Sequence, residues 1–442
     1  MRWPWTGAPP ADTEVRRRLL RLTLAHALEA PFYRRAWGTR WRKGLAALPV
    51  LTKDVAVAYQ HDLLVGARAP FVGVVSSGTQ HGDRTPLHVP ETEAERAAVA
   101  DFVAARFGDG ETSGGGLHLE VLSMQHGFPE GPPPPGVLRV PWAFSANTFH
   151  VLEALLFQPQ RGRRRVESLV IGAAALVPLT AWLYEQGRDF SRLRVRAIGT
   201  TGFRLGPHWR ARVEALWGAR VYDNFSLSEL PVAAPSCEAC GFHHFELPAV
   251  VSEILDPFTR RPLSRGVGVL VVTTLWPFVQ AMPLVRYWTG DLVALGPRCP
   301  QRAERGFRFL GRHSQCAVVP GPDGPQLLAS PQDVEAFLDG RPEVSRLPHP
   351  AVQLGLVKSC DVGVPRFELE WEGARRLRLT VRVEVRFDPG VFPAQAHALE
   401  AGLTDALQRA SPGLRRALRQ GRATLRVALA RPNTLTRPWS KF

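Results

Sequence analysis

The stretch Leu193-Arg194-Val195-Arg196-Ala197-Ile198, followed by Gly199-Thr200-Thr201-Gly202, is predicted to be a strand that ends in a glycine-bounded turn. Further strands are predicted before it, at residues 168–171, and after it, at residues 219–222. Helices are predicted between these strands, at residues 178–186 and 207–217. This alternation predicts a largely parallel sheet with crossover helices, whose ligands bind beyond the carboxyl ends of the strands.

A loop of small residues follows another predicted strand, at residues 71–75. Its sequence is Ser76-Ser77-Gly78-Thr79-Gln80-His81-Gly82-Asp83-Arg84-Thr85. The backbone N–H groups of such a loop can point at phosphate oxygens, and Arg84 adds a positive charge. The spacing is not that of the common P-loop, so a surface turn is the alternative.

Two more motifs follow predicted strands. Val285-Arg286-Tyr287-Trp288-Thr289-Gly290-Asp291-Leu292 comes after a buried strand predicted at residues 269–275. A turn at Gly290-Asp291 would present a carboxylate suited to two neighbouring hydroxyls, such as those of a ribose, although a plain turn is the alternative. In Asp223-Asn224-Phe225-Ser226-Leu227-Ser228-Glu229 the aromatic ring could stack on a base and the last carboxylate could hold Mg²⁺.

Composition narrows the class of protein. A chain of 442 residues is expected to form two domains. The net charge of +15 is carried almost wholly by arginine, without a long basic block, so we do not expect nucleic-acid binding. Signal-peptide features are absent, and the longest apolar run, residues 169–183, is short for a membrane span and contains Pro178. We therefore expect a soluble cytoplasmic protein that does not bind membranes.

The order of these motifs resembles that of the phenylacetate–CoA ligase family, within the adenylate-forming (acyl-activating, AMP-binding) superfamily. Residues 223–229 are similar to the family's Asp-x-Tyr-Gly-Leu-Ser-Glu motif. The other pieces of the resemblance, which covers residues 15–312, are Leu48-Pro49-Val50-Leu51-Thr52-Lys53, the loop at 76–85, Val271-Val272-Thr273-Thr274-Leu275, Arg286-Tyr287-Trp288-Thr289-Gly290-Asp291 and Phe309-Leu310-Gly311-Arg312.

The resemblance implies an α/β fold. A large N-terminal adenylate-forming domain of mostly parallel sheets and helices would span residues 1–312, and a small C-terminal α+β domain would span residues 313–442. In the C-terminal part, helices are predicted at 331–338 and 393–410, and strands at 367–371 and 377–387.

The implied activity is that of an AMP-forming acid–thiol ligase. ATP and Mg²⁺ would convert a carboxylic acid to an acyl adenylate with release of pyrophosphate, and the acyl group would pass to the thiol of coenzyme A. The alternatives are transfer to an amine or a carrier protein, and a non-catalytic relative that only binds a nucleotide. The acid and the acceptor are the expected partners, with a homodimer as one assembly to test.

The resemblance also implies roles for individual residues. Phe225 would lie beside adenine, Asp291 would hold the ribose, Glu229 would hold Mg²⁺, and Arg312 would act at the hinge and touch the nucleotide. The implied catalytic residues are Lys441, Glu229 and Arg312. The implied ATP- or AMP-binding residues are Ser76, Ser77, Gly78, Thr79, Arg84, Asn224, Phe225, Ser228, Asp291 and Arg312.

Lys441 resembles the lysine of the family's C-terminal loop that reaches the substrate carboxylate, and a solvated tail is the alternative. The sequence departs from the family at three places, and the first is Phe225-Ser226, which stands where the motif has Tyr-Gly. The Thr-Gly-Lys of the phosphate loop is missing at 80–84, and the hinge continues with His313-Ser314-Gln315 rather than with acidic residues. The altered phosphate loop and hinge favour the non-catalytic alternative, whereas Glu229, Asp291 and Lys441 favour an enzyme.

A cysteine-rich knuckle is not part of the predicted nucleotide site. Its sequence is Cys237-Glu238-Ala239-Cys240-Gly241-Phe242-His243-His244, and Cys299 follows later in the chain. Cys237, Cys240, His243 and Cys299 are predicted to bind a structural Zn²⁺, with buried free cysteines as the alternative.

Other cysteines and aromatic residues have simpler interpretations. Cys316 and Cys360 are predicted to be ordinary core thiols. Trp142, Phe144 and Phe149 are interpreted either as the lining of an acyl pocket or as core packing.

Overall fold

The computed structural model describes residues 13–66, 72–75, 87–107, 116–123, 133, 135–160, 164–202, 204–245, 248–302, 304–373 and 376–435. For residues 13, 72–75 and 102–107 it describes the backbone alone. The predicted phosphate loop at 76–85 and Lys441 lie outside the described residues.

The helices within these ranges are α1 (Thr13–Ala27), α2 (Pro31–Trp37), α3 (Lys53–Ala58), α4 (Glu93–Phe107), α5 (Ala146–Phe157), α6 (Ala173–Glu185), α7 (Pro207–Trp217), α8 (Pro331–Leu338), α9 (Pro350–Gln353), α10 (Pro393–Ala410) and α11 (Pro412–Arg419). The strands are β1 (Val72–Val75), β2 (His88–Glu91), β3 (Leu117–Ser123), β4 (Val137–Trp142), β5 (Val166–Gly172), β6 (Ala197–Thr201), β7 (Arg220–Phe225), β8 (Ala234–Pro235), β9 (Val250–Leu255), β10 (Val267–Thr274), β11 (Tyr287–Leu295), β12 (Phe307–Arg312), β13 (Ala317–Val319), β14 (Gln326–Ala329), β15 (Arg346–Pro348), β16 (Gly363–Pro365), β17 (Phe367–Glu372), β18 (Leu377–Glu384) and β19 (Ala423–Ala430).

The six-stranded sheet has the order β4-β3-β5-β6-β7-β8 and is parallel except where β8 pairs with β7. The parallel sheet predicted from the alternation of elements is therefore confirmed. Apolar side chains from β3, β5, β6, α5, α6 and α7 form the first core, in which Leu119, Ile171 and Ile198 are fully buried. The predicted helix at 178–186 begins earlier, at Ala173, and contains Pro178 inside it.

A second, antiparallel sheet has the order β12-β11-β10-β9 and supplies the second core together with α1, α2 and α3. The prediction of a turn at Gly290-Asp291 was wrong, because both residues lie within β11. Gly290 has a φ of 76°, and the pairing of β11 with β10 shifts between Val269 and Val271. A bulge in a strand therefore presents Asp291, and glycine permits its backbone conformation.

A third core lies near the carboxyl end of the chain. The sheet β17-β18-β19 packs against α8, α10 and α11, and the alternation predicted for its first two strands is clearest in β18. Strand β19 pairs in parallel with β18. We refer to this core and its helices and strands as the C-terminal lobe. Among the described helices, none combines the length and apolar character needed to cross a membrane.

Residues 346–365, which we call the strap, leave the C-terminal lobe and return to it. The strap consists of the strands β15 and β16, which pair with each other, and the short helix α9 between them. Its residues Ala351, Val357 and Val362 are at most 1% exposed and belong to the first core. A segment late in the chain thus completes the packing around the six-stranded sheet.

Candidate active site

A cavity of about 260 Å³ lies where the six-stranded sheet, the antiparallel sheet, the strap and α8 meet. The ends of β7, β11 and β12 contribute polar and aromatic residues, in agreement with the expectation that ligands bind beyond strand ends. The residues that line it include Asp223, Asn224, Phe225, His243, Asp291, Phe309, Arg312, Arg204, Trp209, Glu335, Asp339, Arg346, His349 and Val362.

Asp291 and Arg312 face each other across β11 and β12, where their Cα atoms are paired in the strand register. The Arg312 Nη1 atom lies 3.2 Å from Asp291 Oδ1 and donates a hydrogen bond to the Thr289 carbonyl at 2.9 Å. The Asp291 side chain is only 2% exposed. A buried carboxylate paired with a guanidinium at a cavity wall can accept hydrogen bonds from hydroxyl groups.

Tyr287 links this pair to Glu229, because the charges of Glu229, Arg312 and Asp291 all act on its phenol. Glu229 itself does not line the cavity. The Tyr287 hydroxyl donates to Glu229 Oε1 at 3.0 Å, and the Lys53 ammonium lies 3.6 Å from the same oxygen. Burial and the Glu229 charge raise the pKa of Tyr287 well above its usual value, so the phenol stays a neutral donor. Two groups hold one carboxylate oxygen of Glu229, and an oxygen of this kind is a ligand that Mg²⁺ prefers.

Lys53 ends one of the motifs that carry the family resemblance, but no role was predicted for it. It begins α3, its side chain is 11% exposed, and it is the positive partner of Glu229. Two signals could have found it. It is one of only four lysines in a chain with 55 lysines and arginines, and it ends one of the motifs that carry the family resemblance.

Arg286 explains how α3 and β11 come together. Its guanidinium binds Glu253 through two hydrogen bonds of 2.9 and 3.0 Å, and Nη1 also donates to the Leu48 carbonyl. The backbone N–H of Leu51 donates to the Arg286 carbonyl at 2.9 Å, and that of Trp288 donates to the Leu51 carbonyl at 2.8 Å. These bonds hold the segment before Lys53 beside the strand that carries Tyr287.

Phe225 belongs to an aromatic wall at the end of β7. Its ring centroid lies 5.1 Å from that of Phe307, 5.6 Å from that of Phe309 and 6.2 Å from that of His243. Asn224 also lines the cavity. A flat apolar surface beside a charged pair can receive a ring that carries polar groups at its edge. Ser228 is not among the lining residues.

His243 belongs to this wall and not to the cysteine cluster. Its Nδ1 atom bonds the Ala234 carbonyl at 3.0 Å, so Nδ1 must carry the proton, and Nε2 lies 3.7 Å from Asp223 Oδ2. Burial lowers the pKa of His243, and the Asp223 charge opposes that shift. The prediction of His243 as a zinc ligand is therefore corrected.

The cysteine cluster takes its histidine from the next position. Atoms of Cys237, Cys240, His244 and Cys299 all lie within 4.8 Å of one another. The sulfurs of Cys237 and Cys299 are 3.8 Å apart, and Cys240 Sγ is 3.2 Å from His244 Nε2. A tetrahedral site with Zn–S bonds of about 2.3 Å requires sulfurs about 3.8 Å apart, so the four side chains fit a zinc ion.

The remaining cysteines and aromatic residues have roles in packing or at the surface. Cys316 is buried as predicted, whereas Cys360 is exposed, so its prediction as a core thiol was wrong. Phe149 is fully buried in the first core, and the Trp142 ring packs against it at 5.5 Å. Neither they nor Phe144 line the cavity, which supports the interpretation as core packing.

Several predicted site residues lie outside the described residues. They are Ser76, Ser77, Gly78, Thr79, Arg84 and Lys441. Their roles stay predictions.

Comparison with curated proteins gives two relatives of the same name. The chain is 37% identical over 148 residues to a phenylacetate–coenzyme A ligase of Thermus thermophilus, which is 32% of this chain and 31% of that protein. It is 29% identical over 197 residues to a phenylacetate–coenzyme A ligase of Aromatoleum evansii, which is 43% of this chain and 39% of that protein. The matches therefore span less than half the length of these relatives. No protein-family model matches the chain.

Comparison with solved structures extends over the whole chain. An open conformation of 2-hydroxyisobutyryl-CoA ligase in complex with 2-HIB-AMP and CoA superposes with a TM-score of 0.63 at 19% identity, covering 100% of this chain and 97% of that one. The same ligase in its postadenylation state gives a TM-score of 0.61 at 19% identity, covering 99% and 90% of the two chains. The α/β fold predicted here is thereby confirmed: the chain has the fold of an adenylate-forming CoA ligase, and its sequence resembles that of the phenylacetate–CoA ligases.

Proposed function

We propose that the protein is an AMP-forming acid–thiol ligase, which activates a carboxylic acid with ATP and transfers the acyl group to coenzyme A. The observation that carries this proposal is the Asp291–Arg312 pair at a cavity in a CoA-ligase fold, with Glu229 bound to Tyr287 of the strand that carries Asp291. The names of the curated relatives support the same activity.

The side chains at the cavity suit the first half-reaction. Asp291 would accept hydrogen bonds from the two ribose hydroxyls, and Phe225 would lie against the adenine ring. Arg312, which holds Asp291, would stabilise negative charge on the nucleotide. Attack of the substrate carboxylate on the α-phosphorus would form the acyl–phosphate bond as the bond to pyrophosphate breaks.

A magnesium ion would be held by Glu229, whose carboxylate Lys53 and Tyr287 orient through its Oε1 atom. When bound, the ion would neutralise charge on the phosphates. The loop with Ser76, Ser77, Gly78, Thr79 and Arg84 would supply further donors to the phosphates, and Asn224 and Ser228 would complete the nucleotide site. Lys441 would reach the substrate carboxylate.

The division of the chain into an AMP-binding domain, residues 1–312, and a small α+β domain, residues 313–442, forms part of this proposal. It is supported by the separate third core of the C-terminal lobe. Arg312 would be the hinge about which that lobe turns between the two half-reactions.

A structural zinc ion would be held by Cys237, Cys240, His244 and Cys299. The distances between these side chains support it, and a metal there would tie Cys299, which follows β11, to the knuckle that follows β8. Such an ion would fix the aromatic wall formed by His243 and Phe225 without entering the chemistry.

Other partners and the location of the protein are proposed as well. An amine or a carrier protein is the alternative acceptor, and a solved structure of similar fold is named an acyl acid amido synthetase, with a TM-score of 0.56 at 14% identity. A cytoplasmic location and a homodimer complete the proposal.

ATP–pyrophosphate exchange, measured without any acceptor against a panel of aryl, fatty and amino acids, tests the first half-reaction. Exchange with one acid class is expected, with loss of exchange in Glu229→Gln and Asp291→Asn. The control is Glu372→Gln, which removes an ion pair between side chains that are both 69% exposed, and it should retain wild-type exchange. Protein that binds ATP but exchanges with no acid would favour the non-catalytic alternative.

The acceptor is tested next, with the acid that supports exchange. Coenzyme A should consume the acyl adenylate and yield a thioester. Consumption by an amine or a carrier protein, with no reaction of coenzyme A, would contradict the acid–thiol ligase and support the alternative.

A further inference from the structure

The strap contacts both halves of the molecule, which are the first core with its sheet and helices and the C-terminal lobe. Its residues Ala351, Val357 and Val362 are buried in the first core among side chains of the six-stranded sheet and its helices. Its two ends belong to the C-terminal lobe. The strands β15 and β16 pair with each other, and β16 ends at Pro365, just before β17 begins at Phe367. The chain therefore connects the two halves at two places, which are the strap and the segment after Arg312.

Polar contacts attach the strap to α6 and α7 of the first core. The Glu185 carboxylate accepts hydrogen bonds from the backbone N–H groups of Lys358, at 2.9 and 3.1 Å, and Ser359, at 2.8 Å. The Arg212 guanidinium lies 2.7 Å from Asp361 Oδ2, and both side chains are 29% exposed. The Trp209 indole donates to the Asp361 carbonyl at 3.3 Å.

Other contacts attach the strap to the C-terminal lobe. Arg386 donates to the carbonyl oxygen of Cys360 at 2.9 Å and to that of Val344 at 3.2 Å. Next to the strap, the Ser345 N–H donates to the Glu384 carbonyl at 2.8 Å. The C-terminal lobe therefore contacts the strap both beside its base, at Ser345, and at Cys360, between the residues that contact α6 and α7.

A second contact joins the two halves near the strap. Asp339, at the end of α8, accepts a hydrogen bond of 2.9 Å from the backbone N–H of His208 in the first turn of α7. Gly206, the N-cap of α7, has no side chain to make this bond, and a Cβ atom there would lie 2.3 Å from Asp339 Oδ2. The C-terminal lobe thus caps a helix of the first core.

From these contacts we propose that the strap is a brace that holds the C-terminal lobe against the first core in the arrangement described here. The lobe cannot rotate about Arg312 alone while the strap stays buried in the first core, because the strap is a second connection between the two halves. The strap must leave the first core before the lobe turns. Release of the strap would then limit the acceptor step and not adenylation, a consequence that rests on the proposed function.

Lobe mobility is measured directly by energy transfer between two fluorophores, without reference to catalysis. Unnatural amino acids that carry the labels are introduced at Val151 on α5 and at Val391 in the C-terminal lobe, which are 47% and 66% exposed. The wild-type protein should give one population of transfer efficiency. Asp361→Asn and Val357→Ala loosen the strap and should each add a second population.

Hydrogen exchange of residues 350–362 verifies that the strap is loosened, and Glu372→Gln, whose exposed ion pair lies within the C-terminal lobe, is the matched control. Removal of one half-buried ion pair should raise the population with a released strap about fivefold. The brace is refuted if exchange rises in the variants while the transfer efficiency stays in one population, or if the wild-type protein has the second population to the same extent as the variants.

The catalytic consequence is tested separately with the same variants. Asp361→Asn should leave pyrophosphate exchange unchanged and accelerate capture of the adenylate by the acceptor. If the second population forms but capture is not accelerated, the brace has no kinetic role. If no acid supports exchange, the proposed function fails while the fluorescence result still stands.

Discussion

Replacement of Arg286 by methionine tests how the site is assembled. Methionine keeps the length and apolar stem of arginine but removes its fork, so Glu253 loses two hydrogen bonds of 2.9 and 3.0 Å. The two side chains are only 6% and 15% exposed, and water therefore cannot replace the lost partner well. Most of the lost unfolding free energy comes from leaving the Glu253 charge buried without a partner, and less comes from the lost attraction between the two groups.

The expected cost of Arg286→Met is about 3–5 kcal/mol of unfolding free energy, the usual cost of leaving one partner of a buried ion pair alone. Glu253→Leu in the same chain should recover part of this loss, because both charges are then absent. Urea unfolding followed by tryptophan fluorescence measures all three proteins, and Glu372→Gln, from an exposed pair, should change the midpoint little.

The same substitution should also lower activity at temperatures where the variant is folded. Arg286 joins the segment before Lys53 to β11, so its loss should displace Lys53 from Glu229 and reduce pyrophosphate exchange. A cost of less than about 1 kcal/mol, the value for an exposed pair, would refute the reasoning, as would unchanged exchange in a variant that is measurably less stable.

Three further predictions concern zinc, the contact between the two halves, and pH. His244→Ala should reduce the zinc content of the purified protein, whereas His243→Ala should retain zinc and weaken nucleotide binding; equal zinc loss in both would contradict the assignment of the ligand. Gly206→Ala should add the second energy-transfer population, because its Cβ meets Asp339, and a single population would show that the contact is dispensable. Burial, with the Asp339 charge adding to it, raises the pKa of Glu335 to about 7, so stability should fall as pH rises from about 4.5 through 7. Glu335→Gln should abolish that fall, and an unchanged pH profile of the melting temperature would contradict it.

Local patterns predicted the elements well, because strand and helix periodicity are properties of a few adjacent residues. The parallel strands at β5, β6 and β7 and the helix α7 follow directly from alternating apolar runs and from glycines and prolines between them. Helix boundaries were less predictable at Pro178, because a proline that usually starts a helix is accommodated inside α6.

Contacts distant in sequence were predictable only where a motif marked them. The motif order identified Asp291 and Glu229, but it did not indicate that Lys53 would pair with Glu229. Adjacent histidines cannot be told apart by spacing alone. His243 turns toward the Ala234 carbonyl and leaves His244 for the cysteines, because successive side chains of an extended segment point to opposite sides.

The strap was not predictable, because its three buried core residues, Ala351, Val357 and Val362, show no periodicity and their partners lie far away in the chain. Because these buried residues come late in the chain, the first core is also completed late. Residues as early as Leu117 pack in that core with Val362, so during synthesis the six-stranded sheet can pair and collapse while a part of its apolar surface still lacks a cover. On a ribosome, a partly made chain would therefore expose this gap until the strap emerged, and a chaperone that binds apolar surface would find it there.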